Sequence, residues 1–428
     1  MKNRYPGPVA FQYEDRTLFF GREEEIKYIA TLIFNYKTTI LHAKTGYGKT
    51  SLINAGLIPY LIKNSSCVII RIQFDNYDRE KKLTPRQTLL NALEARQGAG
   101  ESYLGKLVNE HERSAWRYFK KMQAKEVERQ KKLEQQILER RQKLEQQIFE
   151  MHPSANYDNE LESNHTSGPK PNYILLFDQF EELFTYPKEF VQQIGKELQE
   201  VLNNRIPDEY AADLKEAFKN KEQLKICADE LSVLDDEIPV KIIFSLSTER
   251  FNYMTYLAEY IPSLLNNSYK MHRMREDQIV EAIKKPALLD GDFECPPFKY
   301  EKKLLNSITD FLSMSKKQQI RRRIEVFEMQ IICQQMERIC SDYAKRNRLA
   351  KSGFELTDKI VSESGFVKDK KNPFSEIITN YYIDSIEAIP EKVDQLSARY
   401  IVERKLIDEV TNSRISLDFA LLNQVGII

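Results

Sequence analysis

The sequence predicts an α/β fold: a parallel sheet flanked by helices, followed by an all-α region. Three observations predict it. Short apolar, β-branched runs alternate with helical text up to about residue 270. A glycine-rich turn, Thr45-Gly46-Tyr47-Gly48-Lys49-Thr50-Ser51, joins the first of those runs to a helix. Beyond residue 270, apolar residues recur at spacings of three and four, the period of a helix packed on one face.

The elements follow in chain order. Residues 1–22 form a lead-in from Tyr5-Pro6-Gly7 to Phe20-Gly21-Arg22. Glu23 to Leu32 reads as an amphipathic helix, and Thr38-Thr39-Ile40-Leu41 as a buried strand. The glycine turn comes next. Ser51 to Leu57 reads as a short helix that Pro59 stops, because proline lacks the amide that an α-helix needs. Cys67 to Ile72 is a second strand, and Thr84 to Ala95 is helical. Tyr173 to Phe177 is a third strand, closed by Asp178. Helical text runs to about Ile226, and Lys241 to Leu246 is a fourth strand. The glycine turn, Asp178 and Ser247 all sit at carboxyl ends of strands, where ligands of parallel sheets bind.

Residues 107–150 change character. Lys132-Leu133-Glu134-Gln135-Gln136-Ile137 recurs eleven residues later as Lys143-Leu144-Glu145-Gln146-Gln147-Ile148. Leu133, Ile137, Leu144 and Ile148 then line one narrow apolar stripe, with a period slightly looser than a heptad. A long projecting helix, a helical hairpin or coiled-coil arm, and a single solvated helix held by charge pairs all fit two repeats. Residues 153–172 are rich in Pro, Ser, Asn and Gly and read as a return loop. After 270, Gln318 to Lys345 carries Ile324, Phe327, Ile331, Ile332, Met336 and Ile339 on one helical face. Residues 372–428 read as a small winged-helix domain, incomplete, with Arg414-Ile415-Ser416-Leu417 as its wing. The expected division is therefore 1–22, 23–268 with an insertion at 107–172, 269–371 and 372–428.

The glycine turn carries the chemistry. Gly46 and Gly48 let backbone N–H groups turn inward around a polyphosphate. Lys49 reaches the terminal phosphates, and the Thr50 hydroxyl ligates Mg²⁺. Thr45, Tyr47 and Ser51 complete the cradle, and a helix N-terminus follows, which favours anions. Ala43 stands where such a loop usually opens with glycine. Asp178, at the end of an apolar strand, is placed to hold the same Mg²⁺, directly or through water. Glu181 or Glu182 can orient the water that attacks the γ-phosphate. Being adjacent, the two carboxylates repel, which favours the protonated form of one.

Composition bounds the rest. The 428 residues exceed one ordinary core, and 41% apolar content suffices to bury one. Lys+Arg and Asp+Glu both number 64, so net charge gives no electrostatic case for nucleic acid or an anionic membrane. Five scattered cysteines without CxxC spacing fit reduced thiols in the cytoplasm. No zinc constellation, apolar leader or membrane-spanning run is present in the sequence.

Four segments resemble the STAND class of signalling P-loop NTPases, specifically the bacterial novel STAND NTPase 1 type. They are Tyr5-Pro6-Gly7 with Leu18 to Glu23, Lys44 to Pro59, Asp178-Gln179-Phe180-Glu181-Glu182-Leu183-Phe184, and Ile261 to Asn267 leading to Glu281 to Ala287. The resemblance implies an ATP-operated switch: ADP holds a closed monomer, and the ATP form oligomerises and triggers an effector, often in antiphage defence. It implies that Gly21 and Arg22 lie near the adenine and that ATP or ADP with Mg²⁺ is the ligand. It also implies a partner sensor or effector, since neither is fused to this stretch of chain, which reads as a fragment or as one member of a set. One departure matters: where the family carries an arginine after the fourth strand, this sequence has Ser247, and Arg250 is the nearest substitute. Slow turnover is the expectation. Two other readings remain, an AAA+ or origin-recognition DNA-handling ATPase and a nucleotide-locked scaffold without turnover.

Overall fold

A computed structural model describes residues 2–78, 83–95, 113–151, 172–212, 215, 233–313, 325–348, 353–369 and 372–406. The chain divides into two compact units. The sheet unit comprises Gln12–Arg16 and Glu23–His272, and the helical unit comprises Met1–Phe11, Thr17–Arg22 and Arg273–Ile428.

The sheet unit is built on five parallel strands: β1 Thr38–Ala43, β2 Cys67–Gln73, β3 Asn172–Asp178, β4 Val240–Ser247 and β5 Ser268–Lys270. Their order is β2-β3-β4-β1-β5, so β4 separates the strand before the glycine turn from the strand ending in Asp178. Every residue of β1 is buried, Thr38, Thr39 and His42 included, as a central strand of a sheet covered on both faces requires. Helices α1 Glu23–Asn35, α2 Lys49–Ser51, α3 Ile58–Asn64, α4 Pro85–Glu94, α5 Ala115–Met151 and α6 Lys188–Leu202 connect or flank the strands. Aromatic rings fill the core beside the acid: Phe177 stacks on Phe244 at 5.5 Å between centroids, and Phe180 meets Phe244 edge-on at 4.7 Å.

One sequence expectation needs correction here, and one left open is decided. Pro59 does not end its helix. The segment Leu52–Leu57 between α2 and α3 is π-helical, with the Ile58 N–H donating to the Ile53 carbonyl, and α3 carries Pro59 in its first turn. The wider π turn ends just before the proline, so its missing amide falls where a new helical turn begins and costs little. The charged stretch after residue 114 is one helix of 37 residues, about 55 Å long at ~1.5 Å per residue, and not a hairpin. Trp116, Tyr118 and Phe119 root it in the core, whereas Leu133 and Ile137 are 57% and 46% exposed.

In the helical unit, α7 Glu276–Ala287, α8 Lys302–Ser313, α9 Val326–Arg346, α10 Asp358–Glu363 and α11 Pro373–Glu387 surround a separate core, and α12 Lys392–Tyr400 follows with no buried residue. Ile331, Ile332, Met336 and Ile339 bury as expected, as do Cys333 and Cys340, but Phe327 is 44% exposed. Two three-residue strands, β6 Phe298–Tyr300 and β7 Phe354–Leu356, pair in parallel within what reads as purely helical sequence. The N-terminal segment belongs to this unit. Arg4 is fully buried and donates to Glu337 Oε1 at 3.0 Å and to the Cys295 and Leu289 carbonyls at 2.8 Å each. The wing at Arg414–Leu417, Ile324 and the return loop at 153–171 lie outside the described residues, so the winged-helix expectation finds no counterpart among them.

Candidate nucleotide-binding site

The glycine turn leaves β1 at its carboxyl end. Gly46 and Gly48 adopt φ of +86° and +84°, the left-handed region that L side chains rarely enter. A Cβ at either would meet nothing within 4 Å, so the glycines serve backbone conformation and leave the concave side open. Lys49 to Ser51 form α2, so the amide-rich N-terminus of the helical segment caps the turn. Thr45 is exposed, whereas Tyr47, Thr50 and Ser51 are half-buried.

Charges of opposite sign converge there. Burial lowers the Lys49 ammonium pKa, and the nearby carboxylates of Glu181, Asp178 and Glu249 oppose that shift. Lys49 and Asp178 therefore share the carboxyl-end edge of the sheet, although β4 lies between β1 and β3. Asp178 is 2% exposed. Its Oδ1 accepts from the Ser245 hydroxyl and the Gln179 amide, each at 3.0 Å, and its Oδ2 is ion-paired with the Arg71 guanidinium. Arg71 also donates to Asn54 Oδ1 at 3.1 Å, and Asn54 sits in the π-helical turn.

After Asp178 the chain turns sharply through Gln179, whose φ of 52° is rare outside glycine. The turn starts a 3-10 helix, Phe180–Thr185, that brings Glu181 back over the sheet. Glu181 Oε1 accepts from the Ser247 amide at the end of β4 at 3.0 Å. Its Oε2 is buried and has no hydrogen-bond partner. An orphaned carboxylate oxygen beside Lys49 fits a donor such as a water or metal-bound water, and the open glycine cradle fits a phosphate. Glu182 lies further out; burial raises its pKa, Glu181 adds to the rise, and Arg250 opposes it. Arg250 is exposed and stays by Tyr253, donating to its hydroxyl at 3.2 Å. His42, the residue before Ala43, links β1 to the segment after Ser247: Nδ1 lies 3.2 Å from Thr248 Oγ1, and the ring packs 4.4 Å from Phe251. Burial, then the charges of Lys270, Lys49 and His272, lower its pKa.

The fold thus brings Lys49, Asp178 and Glu181 together and puts Arg250 beside Glu182. Gly21 and Arg22 belong to the helical unit, where a Cβ on Gly21 would sit 2.4 Å from the Gln278 carbonyl oxygen, so only glycine fits there. Arg71, Asn54, Ser245 and His42 escape a reading by motif. Their signal is a polar residue inside or beside a run otherwise apolar, as in Ile70-Arg71-Ile72 and Phe244-Ser245-Leu246. Among the described residues no group of three or more His, Cys, Asp or Glu could hold a metal ion by itself. An ion here would take phosphate and water oxygens as its remaining ligands.

The model of the family described as Novel STAND NTPase 1 matches residues 5–310, more than half of the sequence. The chain belongs to that family. This STAND NTPase is also similar in structure to a Walker-type ATPase of Pyrococcus abyssi, at 14% identity and a TM-score of 0.38, over 98% of this chain and 91% of that one. It is similar to the ORC2 protein of Aeropyrum pernix, in ADPNP-ADP complexes, at 11% identity and a TM-score of 0.38, over 94% and 78% of the two chains. No curated protein matches the STAND NTPase. No helix among its described residues is long and apolar enough to cross a membrane.

Proposed function

We propose that this STAND NTPase is a slow, ATP-operated switch. The observation that carries the reading is the convergence of Lys49, Asp178 and the orphaned Glu181 carboxylate beside an open glycine cradle. In it, the amides of Thr45 to Ser51 hold the phosphates and Lys49 neutralises the terminal ones. Thr50, and Asp178 through water, would hold a Mg²⁺ ion, which would supply charge neutralisation for the phosphates. Glu181 orients the attacking water and Glu182 has a secondary part, because Glu181 is the carboxylate turned toward Lys49. Gly21 and Arg22 hold the adenine. Turnover is slow because Ser247 stands where the family's arginine would, and the nearest substitute, Arg250, donates to the Tyr253 hydroxyl.

The switch reading adds an ADP-held monomer, an ATP-dependent homo-oligomer, and a partner sensor or effector in bacterial defence. A cytoplasmic setting fits the free thiols of Cys67, Cys295, Cys333 and Cys340. Phosphate release tests the chemistry. Wild type should release phosphate slowly from ATP, and Glu181→Gln should lower the rate by about 100-fold, the scale of a lost general base. ATP binding without any release would identify a nucleotide-locked scaffold instead. Mass measurement tests the switch: ATP should give a larger assembly than ADP, and equal masses would contradict it.

A further inference from the structure

Arg71 is the one cation in ion-pair contact with Asp178 among the interactions described above, and it reaches across to the helix of the phosphate loop. Nη2 is paired with Asp178 Oδ2, and Nη1 donates to Asn54 Oδ1 at 3.1 Å. The register explains the reach. Arg71 is opposite Leu176 and Gln73 opposite Asp178, so Arg71 and Asp178 are diagonal neighbours on one face of the sheet. Asn54 comes into range from the π-helical turn Leu52–Leu57, one turn beyond Thr50.

The carboxylate of Asp178 is then largely spoken for. A carboxylate offers about four lone-pair sites. Ser245 and Gln179 take those of Oδ1, and Arg71 takes one of Oδ2. The group is buried, so the guanidinium also neutralises a charge that would otherwise be costly at this depth and would repel a polyphosphate. Asn54 fixes the orientation of the planar guanidinium; a lysine supplies the charge without that two-armed fork.

We propose that Arg71 is a positioning residue that holds Asp178 off the metal and stands in for part of its charge, so that this site binds nucleoside triphosphate with little dependence on Mg²⁺. The inference rests on the nucleotide reading above and goes beyond it, since it assigns a role to a strand residue outside every motif. Arg71 touches neither phosphate nor water in this role; it acts through Asp178.

The test is equilibrium binding of a fluorescent ATP analogue, with Mg²⁺ and with EDTA, to wild type, Arg71→Gln, Arg71→Lys and Asn54→Ala. Wild type should gain less than about tenfold in affinity from Mg²⁺, roughly the scale of one charge-assisted hydrogen bond. Arg71→Gln should bind more weakly in EDTA and gain at least about tenfold more from Mg²⁺ than wild type does, because the freed carboxylate now needs the ion. Arg71→Lys should recover binding in EDTA. Asn54→Ala, which leaves the charge in place, should show an intermediate metal gain and guards against a misfolded Arg71 variant. The same metal gain in wild type, Arg71→Gln and Asn54→Ala, with all of them binding, would overturn the role of Arg71 and leave the nucleotide reading intact. No binding by wild type under either condition would overturn both.

Discussion

Glu200 shows how single residues set the chemistry of this molecule. It lies on α6 and is 4% exposed. Burial raises its pKa from 4.5 to about 7, Glu197 and Asp208 add to the rise, and Lys196 and Arg205 oppose it. Glu197 is itself held by Arg86 Nε at 2.6 Å and the Ala115 amide at 2.8 Å, so it cannot turn away. The folded state therefore binds a proton that the unfolded chain has released between pH 4.5 and about 7. Stability must fall as pH rises through that window, by on the order of 2–3 kcal/mol. Glu200→Gln should remove the dependence: denaturant unfolding should give a more stable variant at pH 8 and little change at pH 4. The same pH dependence in wild type and Glu200→Gln would contradict the burial of this carboxyl. Glu182, one of the two carboxylates proposed for the reaction, follows the same physics: burial raises its pKa, Glu181 adds to the rise, and Arg250 opposes it.

At the scale of elements, what was legible was what lies contiguous in the chain. The four longer strands appear as apolar runs, and the glycine turn, Asp178 and Glu181 appear as short strings beside them. Strands β5, β6 and β7 have three residues each, too few for a period to register, and in β5 only Tyr269 is better than exposed. The π turn was illegible because Pro59 signals only a lost amide; how the helix absorbs that loss depends on packing. Arg71 and Ser245 were illegible as site residues because their meeting with Asp178 depends on strand order and register, which are non-local. The α5 arm was legible as a helix, and the structure decides between its forms. Its ion pairs Glu126–Arg129 and Glu128–Lys132 are local, and Leu133 and Ile137 face outward. A face that buries nothing adds nothing to stability. The double variant Leu133→Gln, Ile137→Gln should therefore melt within about 1 °C of wild type, since surface changes stay within ~0.5 kcal/mol. A large drop would mean that the stripe is covered in solution.

At the scale of the whole molecule, two cores share one chain, and the N-terminal segment crosses between them in sequence. Arg4 ties the first residues to Glu337 on α9, far along the chain, through a pair buried on both sides. A guanidinium and a carboxylate at 0% and 2% exposure persist only when fully hydrogen-bonded, as these are. In the sheet unit the analogous stitch is Arg71, which joins the phosphate-loop helix to the acid strand. The proposed site lies where β1, β3 and β4 end together, although Ala43, Asp178 and Ser247 are far apart in the chain.

Binding of ATP by wild type and Lys49→Ala tests that convergence most directly. The account predicts saturable binding by wild type and a loss on the order of 100-fold in the variant, as fits a charge-assisted contact to phosphate, with the melting curve unchanged. Equal affinity in the two proteins would contradict it.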